Sequence, residues 1–313
     1  MLKTRLFAAV LLALSQGAFA QQPPTGGQLQ QVPPAPVQPR PAPEIRIEQG
    51  QPPAAPAEDQ ARIMVNSLRV ADARAYPEAE LVALTGFKPG SELTLPELRA
   101  MAARITEHDR KNGYFVAQAY VPAQEIRDGA VTIRVLEGTY GNVTLRNEAD
   151  LRSSIPGAAL EGLDAGDPIQ IAPLETSLLL LSDIPGVDVK STLVPGASPG
   201  TSDLVVNVTP GRFVTGSVEA DNHGNRYTGE YRVGGSVHFN NLTGNGDVLS
   251  FRGLTSGSGL KYGRAAYQAM FGRATVGVAY TAVDYRLGKE FSSLGAHGTA
   301  RIASIYGSYP LIR

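Results

Sequence analysis

From Phe213 to Arg313, apolar and polar residues alternate in one short segment after another, and this property limits the fold more than any other. In Tyr231–Phe239 the odd positions are Tyr, Val, Gly, Val and Phe, set against Arg, Gly, Ser and His. In Ala274–Ala282 the even positions are Ala, Val, Val, Tyr and Ala, set against Thr, Gly, Ala and Thr. A period of two is that of a β-strand with one buried face. Similar patterns run through Val214–Ala220, Asp247–Thr255, Leu260–Phe271 and Thr299–Leu311. Turn signals separate them at Asn222–Asn225, Thr243–Asp247, Thr255–Gly259 and Gly295–Gly298. The region holds 17 of the 34 glycines and one proline, and no run suits an amphipathic helix. Membrane-barrel strands need ~9–11 alternating residues with aromatics near their ends. Tyr231, Phe239, Tyr262, Phe271, Tyr280, Tyr285, Tyr306 and Tyr309 are candidates for such girdles. A soluble β-sandwich gives the same alternation, so the pattern alone leaves both folds open.

The amino terminus bears on that choice. Lys3 and Arg5 precede the apolar run Leu6–Leu14, and Gly17-Ala18-Phe19-Ala20 follows. A charged start, a short apolar core and an A-x-A exit describe a secretory signal peptide over residues 1–20. Nine apolar residues are about half of the ~20 that a spanning helix requires. No later stretch reaches that length, so an exported chain of this kind enters a membrane only as a β-barrel. There is no cysteine, which removes disulfides, thiol nucleophiles and thiolate metal sites together. Residues 21–57 contain 11 of the 23 prolines and are expected to be an extended or disordered linker. Residues 58–212 carry 14 basic and 21 acidic side chains, and residues 213–313 carry 10 and 6. The chain is nearly balanced overall, which gives no indication of a nucleic-acid partner.

Between linker and alternating region, a helix-then-strands order occurs twice. Ile63–Val70 reads as a strand, and Pro77-Glu78 opens a short helix ending at Gly86. Thr94, Pro96 and Glu97 then start a second helix whose stripe is Leu95, Leu98, Ala102 and Ile105, with Gly113 after it. Phe115–Val121 alternates as a strand that Pro122 ends, and Val131, Ile133 and Val135 lie on one face of the next. The order is β-α-α-β-β over residues 58–138. A second copy over 139–212 places strands at Asn142–Arg146, Val187–Leu193 and Leu204–Val208. Its helical turn falls near Asp150–Ile155, and its helix starts at Asp167-Pro168 with Gln170 positioned to complete a cap.

The run GYFVAQAYVPAQEIRDGAVTIRVLEGTYGNV, from Gly113 to Val143, resembles the end of the first polypeptide-transport-associated (POTRA) domain of two-partner secretion transporters. These form the haemolysin secretion/activation branch of the Omp85 superfamily. The similarity rests on the Gly-Tyr after the helix, the V-P-x-Q-x-I-x-D-G connection and the V-x-I-x-V-x-E-G strand. It implies tandem α+β POTRA domains followed by the first strands of a transmembrane antiparallel β-barrel. Residues 213–313 would supply about six strands, fewer than the ~8 of the smallest closed barrel, so a truncated barrel is expected. The family's amino-terminal helix can occupy the barrel lumen, but Gln21–Gln31, broken by proline and glycine, makes a poor helix.

The resemblance further implies an outer-membrane protein with periplasmic POTRA domains and a secreted exoprotein as partner, captured unfolded through its amino-terminal secretion domain. An extended peptide can join a sheet edge as a further strand. Phe115–Val121 is the candidate edge, with Phe115, Val116, Gln118 and Tyr120 as cargo-binding residues and the Thr94–Asn112 helix as the groove wall. A barrel-protein insertase of the same superfamily and a secreted adhesin with a soluble sandwich are the alternatives. His108, His223, His238 and His297 form no ligand-spaced pair, and neither a nucleophile elbow nor a phosphate loop occurs. No catalytic residue, metal or cofactor is expected. His108 reads as solvated on its helix.

Overall fold

A computed structural model describes residues 44–47, 61–257 and 259–311. The expected leader, and all of the proline-rich segment except four residues, lie outside them. Those four, Glu44–Ile47, form a strand, β1, which joins a sheet built much later in the chain.

The first α+β unit contains β2 (Ile63–Val65), β3 (Ser67–Ala71), α1 (Glu78–Thr85) and β4 (Ser91–Leu93). It continues with α2 (Leu95–Lys111), β5 (Gln118–Tyr120) and β6 (Ala130–Leu136). The single strand expected at Ile63–Val70 is two, broken at Asn66, whose N–H turns to the Gly129 carbonyl at 2.8 Å. β2 pairs with β4, while β3, β6 and β5 form a three-stranded sheet in that order. The α2 capping box forms as expected: Thr94 N–H donates to the Glu97 carboxylate at 2.7 Å, and Glu97 N–H donates to Thr94 Oγ1. Leu98, Ala102 and Ile105 then face Val131, Ile133 and Val135 of β6, all buried in one core. Thr94→Ala is expected to destabilise this unit by about 1 kcal/mol, read as a lowered thermal midpoint of a 61–138 fragment. Within the V-P-x-Q connection, Gln124 substitutes for a strand residue. Its side chain accepts from Thr132 N–H and donates to Thr132 C=O, both at 2.8 Å.

The second unit comprises β7 (Thr139–Asn147), α3 (Ser154–Ala159), α4 (Ile171–Ser182), β8 (Val187–Pro195) and β9 (Thr201–Pro210). Its sheet order is β1-β8-β9-β7, with β8 antiparallel and β7 parallel to β9. Leu174, Leu178 and Leu181 of α4 are fully buried against Leu193, Leu204 and Val206. Gln170 stands at the α4 N-cap without a capping side-chain bond. Its amide N–H donates to Tyr114 Oη at 2.9 Å, which ties the start of α4 to the first unit.

The alternating region forms one antiparallel meander of six strands: β10 (Val214–Asp221), β11 (Arg232–Asn240), β12 (Val248–Thr255), β13 (Leu260–Phe271), β14 (Ala274–Arg286) and β15 (His297–Ser308). Val218 (88% exposed), Val278 (51%) and Ile305 (82%) lie on one open face. On the other, Glu219 pairs with Arg252 at 2.6 Å, and Ser217 bonds Ser236 at 2.9 Å. Apolar outside and polar inside is the inverse of a water-soluble sheet and is the pattern of a barrel wall. A soluble sandwich needs a second sheet over the apolar face, and among the described residues none packs there. The girdle assignment needs correction. The cross-strand register puts Tyr262, Tyr285 and Tyr306 on the inner face, where the first two join Leu254, Leu260 and Val283 and Tyr306 bonds Gln268. At the end remote from the α+β units, the β10–β11 loop meets a short 3-10 turn, Lys289–Leu294, through Arg226–Glu290 and Lys289–Glu230 pairs.

Candidate functional site

The candidate residues at 115–120 divide between two roles. The expected strand Phe115–Val121 is only three residues long, because the chain turns after α2, with Ala117 N–H donating to Tyr114 C=O at 2.9 Å. Phe115 and Val116 therefore leave the sheet and pack against the core of the second unit. A Cβ at Gly138, whose φ is +82°, would collide with the Val116 side chain. Gln118 and Tyr120 do lie in the edge strand, Gln118 exposed and Tyr120 half-buried.

The backbone of that edge is partly engaged by α2. Thr106 Oγ1 accepts from Ala119 N–H at 2.8 Å, and Arg110 Nε donates to Ala117 C=O at 3.1 Å. The α2 helix thus covers the edge more than it walls a groove beside it. His108, expected in solvent, stacks edge-on against Tyr76 at 4.7 Å and lies 3.4 Å from Asp109. Burial pushes the Asp109 carboxyl up, with the His108 bond opposing it. Sequence patterning could not foresee this, since a charge within an apolar stripe reads as an exposed position.

Two joints make the chain continuous from the first unit to the sheet. At the first, Ile171 N–H donates to Gly113 C=O at 2.9 Å and Ile169 N–H to Gly138 C=O at 3.0 Å. At the second, the turn Thr243–Asp247 docks on the second unit: Arg152 N–H donates to Gly244 C=O, and Asn241 Nδ2 to Ala149 C=O at 3.0 Å. Arg273, between β13 and β14, donates to Ala158 C=O at 2.7 Å. The turn keeps its shape through Asp247, which is fully buried. Its Oδ1 accepts from Thr243 N–H and Oγ1–H at 2.9 Å and from Asn245 N–H at 3.3 Å. Burial alone would raise this carboxyl; the Thr243 and Asn245 donors outweigh it and hold it below its ordinary value.

The second sheet has the longer edge. β8 spans nine residues and would be outermost, but β1 lies along it in parallel, from Glu44 opposite Lys190 to Ile47 opposite Leu193. Ile45 packs on the second core, while Arg46 and Ile47 are exposed. No group of three or more potential metal ligands occurs among the described residues.

Two strand-edged α+β units docked on an inside-polar, outside-apolar antiparallel sheet define a POTRA-bearing outer-membrane barrel protein. More specifically, residues 63–138 match the POTRA domain, ShlB-type, and residues 200–311 match the haemolysin secretion/activation protein ShlB/FhaC/HecB; the chain belongs to this family. It is 33% identical over 228 residues to the heme/hemopexin transporter protein HuxB of Haemophilus influenzae, covering 72% of this chain and 40% of that protein. The outer membrane transporter CdiB of Dickeya dadantii is 28% identical over 192 residues, which cover 57% of this chain and 33% of that one. The structure of CdiB from Escherichia coli superposes with a TM-score of 0.60 at 24% identity, covering 84% of this chain and 50% of that chain, a likeness of fold. The chain thus spans about 40% of the length of the curated relative HuxB.

Proposed function

We propose that this chain belongs to an outer-membrane transporter of the two-partner secretion type. Its POTRA units, residues 58–138 and 139–212, lie in the periplasm, and the wall from residue 213 onward is embedded in lipid. The units receive an unfolded exoprotein through its amino-terminal secretion domain and hand it to the pore. The reading is supported by the docking of the second unit onto the turns of the apolar-faced sheet, which holds that unit's strands beside the wall. Kinship with HuxB and CdiB favours this reading over an insertase. On this reading the chain binds and conducts polypeptide; it performs no covalent chemistry and engages no nucleic acid.

Gln118 and Tyr120 provide side-chain contacts beside the short β5 edge, and Phe115 and Val116 hold the joint behind it. An unpaired carboxylate next to a strand edge opposes strand addition. Gln118→Asp should therefore weaken capture roughly fivefold, about 1 kcal/mol, as a cross-strand contact would. Calorimetric titration with the amino-terminal secretion domain of a two-partner exoprotein measures it. No binding by the unmodified chain would refute the transporter reading; equal binding by the variant would remove β5 from the site.

A further inference from the structure

The outward face of the β10–β15 sheet ends differently at its two rims. Toward the POTRA units its outward positions include Phe239, Leu249, Phe271 and Val276, with no charged residue among them. At the remote rim, counting by twos from Val278 along β14 gives Tyr280, Ala282, Asp284 and Arg286 on the same face. Register then adds Lys261 opposite Asp284, Arg301 opposite Ala282 and His297 opposite Arg286. Asp284 is central. Lys261 is its neighbour on one side, Arg301 Nη1 donates to its Oδ1 at 3.1 Å on the other, and Arg286 stands two positions on. Lys261, Arg286 and Arg301 are all exposed, and among the described residues no acidic side chain bridges to Lys261 or Arg286. The excess of positive charge is confined to β13–β15. The same row continues across β12, β11 and β10 as Thr255, Val233 and Ala220, all uncharged. Cations in the loops beyond it are already paired, Arg226 with Glu290 and Lys289 with Glu230.

Depth decides what this patch meets. The outward positions of β14 are uncharged from Ala274 to Ala282. At ~3.3 Å per residue and a tilt of ~40°, that run spans about 20 Å along the membrane normal, close to the ~25 Å apolar band of such barrels. Asp284 and Arg286 come next, so the patch lies at headgroup level. The POTRA units occupy the opposite end, which puts this rim in the outer leaflet at the cell surface. A zwitterionic headgroup cancels its own phosphate and gains little from a cationic patch. A phosphomonoester carries about −1.5 to −2 charge and three acceptor oxygens, and guanidinium and ammonium groups are its usual partners. We propose that Lys261, Arg286 and Arg301 bind the phosphate of an outer-leaflet lipid whose headgroup carries phosphomonoesters. Its acyl chains lie against Tyr280, Ala303 and Ile305, the next outward positions toward mid-membrane. Asp284 orients Arg301 and offsets part of the charge. The inference rests on the membrane placement of the sheet and goes beyond polypeptide transport: it gives the wall a lipid site.

The test titrates the full-length transporter, held in phosphatidylcholine nanodiscs, with lipid A, a glycolipid bearing phosphomonoesters, and follows bound lipid by native mass spectrometry. Lys261→Gln with Arg286→Gln should weaken binding about 30-fold, at about fivefold per cation. Asp284→Asn removes the central negative charge and should tighten binding about fivefold. Lys289→Gln, whose charge Glu230 already offsets, should change it less than about twofold. Lipid A stripped of its phosphates should bind the unmodified protein no better than intact lipid A binds the double variant. Inorganic phosphate should not displace lipid A, since it lacks the acyl chains that add to the headgroup contacts. Equal binding by the double variant, equal binding of the stripped lipid, no gain in Asp284→Asn, or an equal loss in Lys289→Gln overturns the site. Displacement by inorganic phosphate overturns the assignment to a lipid. Capture of the exoprotein secretion domain should be the same in all these variants, so failure here leaves the transporter reading standing.

Discussion

An arginine at Val278 is expected to cost the lipid-embedded sheet about 2–4 kcal/mol, the penalty for a cation on the lipid face near mid-membrane depth. Val278 lies in the body of β14, paired with Tyr267 and Ile305, and is 51% exposed on the apolar face. In lipid that exposure is contact with acyl chains, where a guanidinium loses its hydration and finds no partner. Ser304 lies on the opposite face, in register with Ala279. Ser304→Lys, pointing into the polar interior, should change stability by less than about 1 kcal/mol. Urea midpoints of the protein refolded into vesicles, read by heat-dependent gel mobility, separate the two. Equal tolerance of both substitutions would mean that the apolar face is not against lipid.

The second large effect is expected at Asp247. Replacing it by alanine strands two N–H donors and one hydroxyl that now converge on Oδ1 in a fully buried turn. Bonds to a charged acceptor are worth about 1.5–3 kcal/mol each and do not add. Removing the buried charge returns part of that, so a net loss of about 3 kcal/mol is expected. The loss should concentrate where the turn meets the second POTRA unit. Hydrogen exchange at Arg152, whose N–H donates to Gly244 C=O, should accelerate while exchange in the α4 helix stays slow. Asp247→Asn keeps an acceptor at Oδ1 and should lose less.

The pH dependence follows with a definite sign. The folded carboxyl lies below its ordinary value of 3.8, so its contribution is complete above that pH and is lost as pH falls through the lower, folded value. Acid opening of this joint is therefore expected only below about pH 4. Uniform exchange across the chain in Asp247→Ala would show that the turn does not couple the unit to the sheet.

Much of this architecture could be read from residue order. The capping box at Thr94 and Glu97, the αL glycine after α1, and β13 at Leu260–Phe271 follow from interactions within a few residues, and the structure has them as expected. The family kinship was legible in the Gly113–Val143 run for the same reason: its turns and strand alternation are local. Expectations failed where a distant partner intervened. Val116 alternates like a strand residue, but Gly138, 22 positions on, offers the space it fills. His108 looks solvated until Tyr76 covers it. Thr243–Asp247 reads as a plain hairpin turn, yet it carries the dock for the second unit.

By itself, then, the sequence determined the two main helices of the first unit and the second unit's long helix, the long alternating strands and their order, because backbone periodicity and capping are short-range. It did not show the short strands β1 and β4 or the break at Asn66. Only the tertiary structure decided which edges are free. A row of unpaired N–H and C=O groups accepts whatever extended segment comes within reach, and no residue code names that segment in advance. A proline-rich stretch that reads as linker thus supplies β1 to β8, more than a hundred positions away, while the edge that looked open at Ala119 is covered by Thr106.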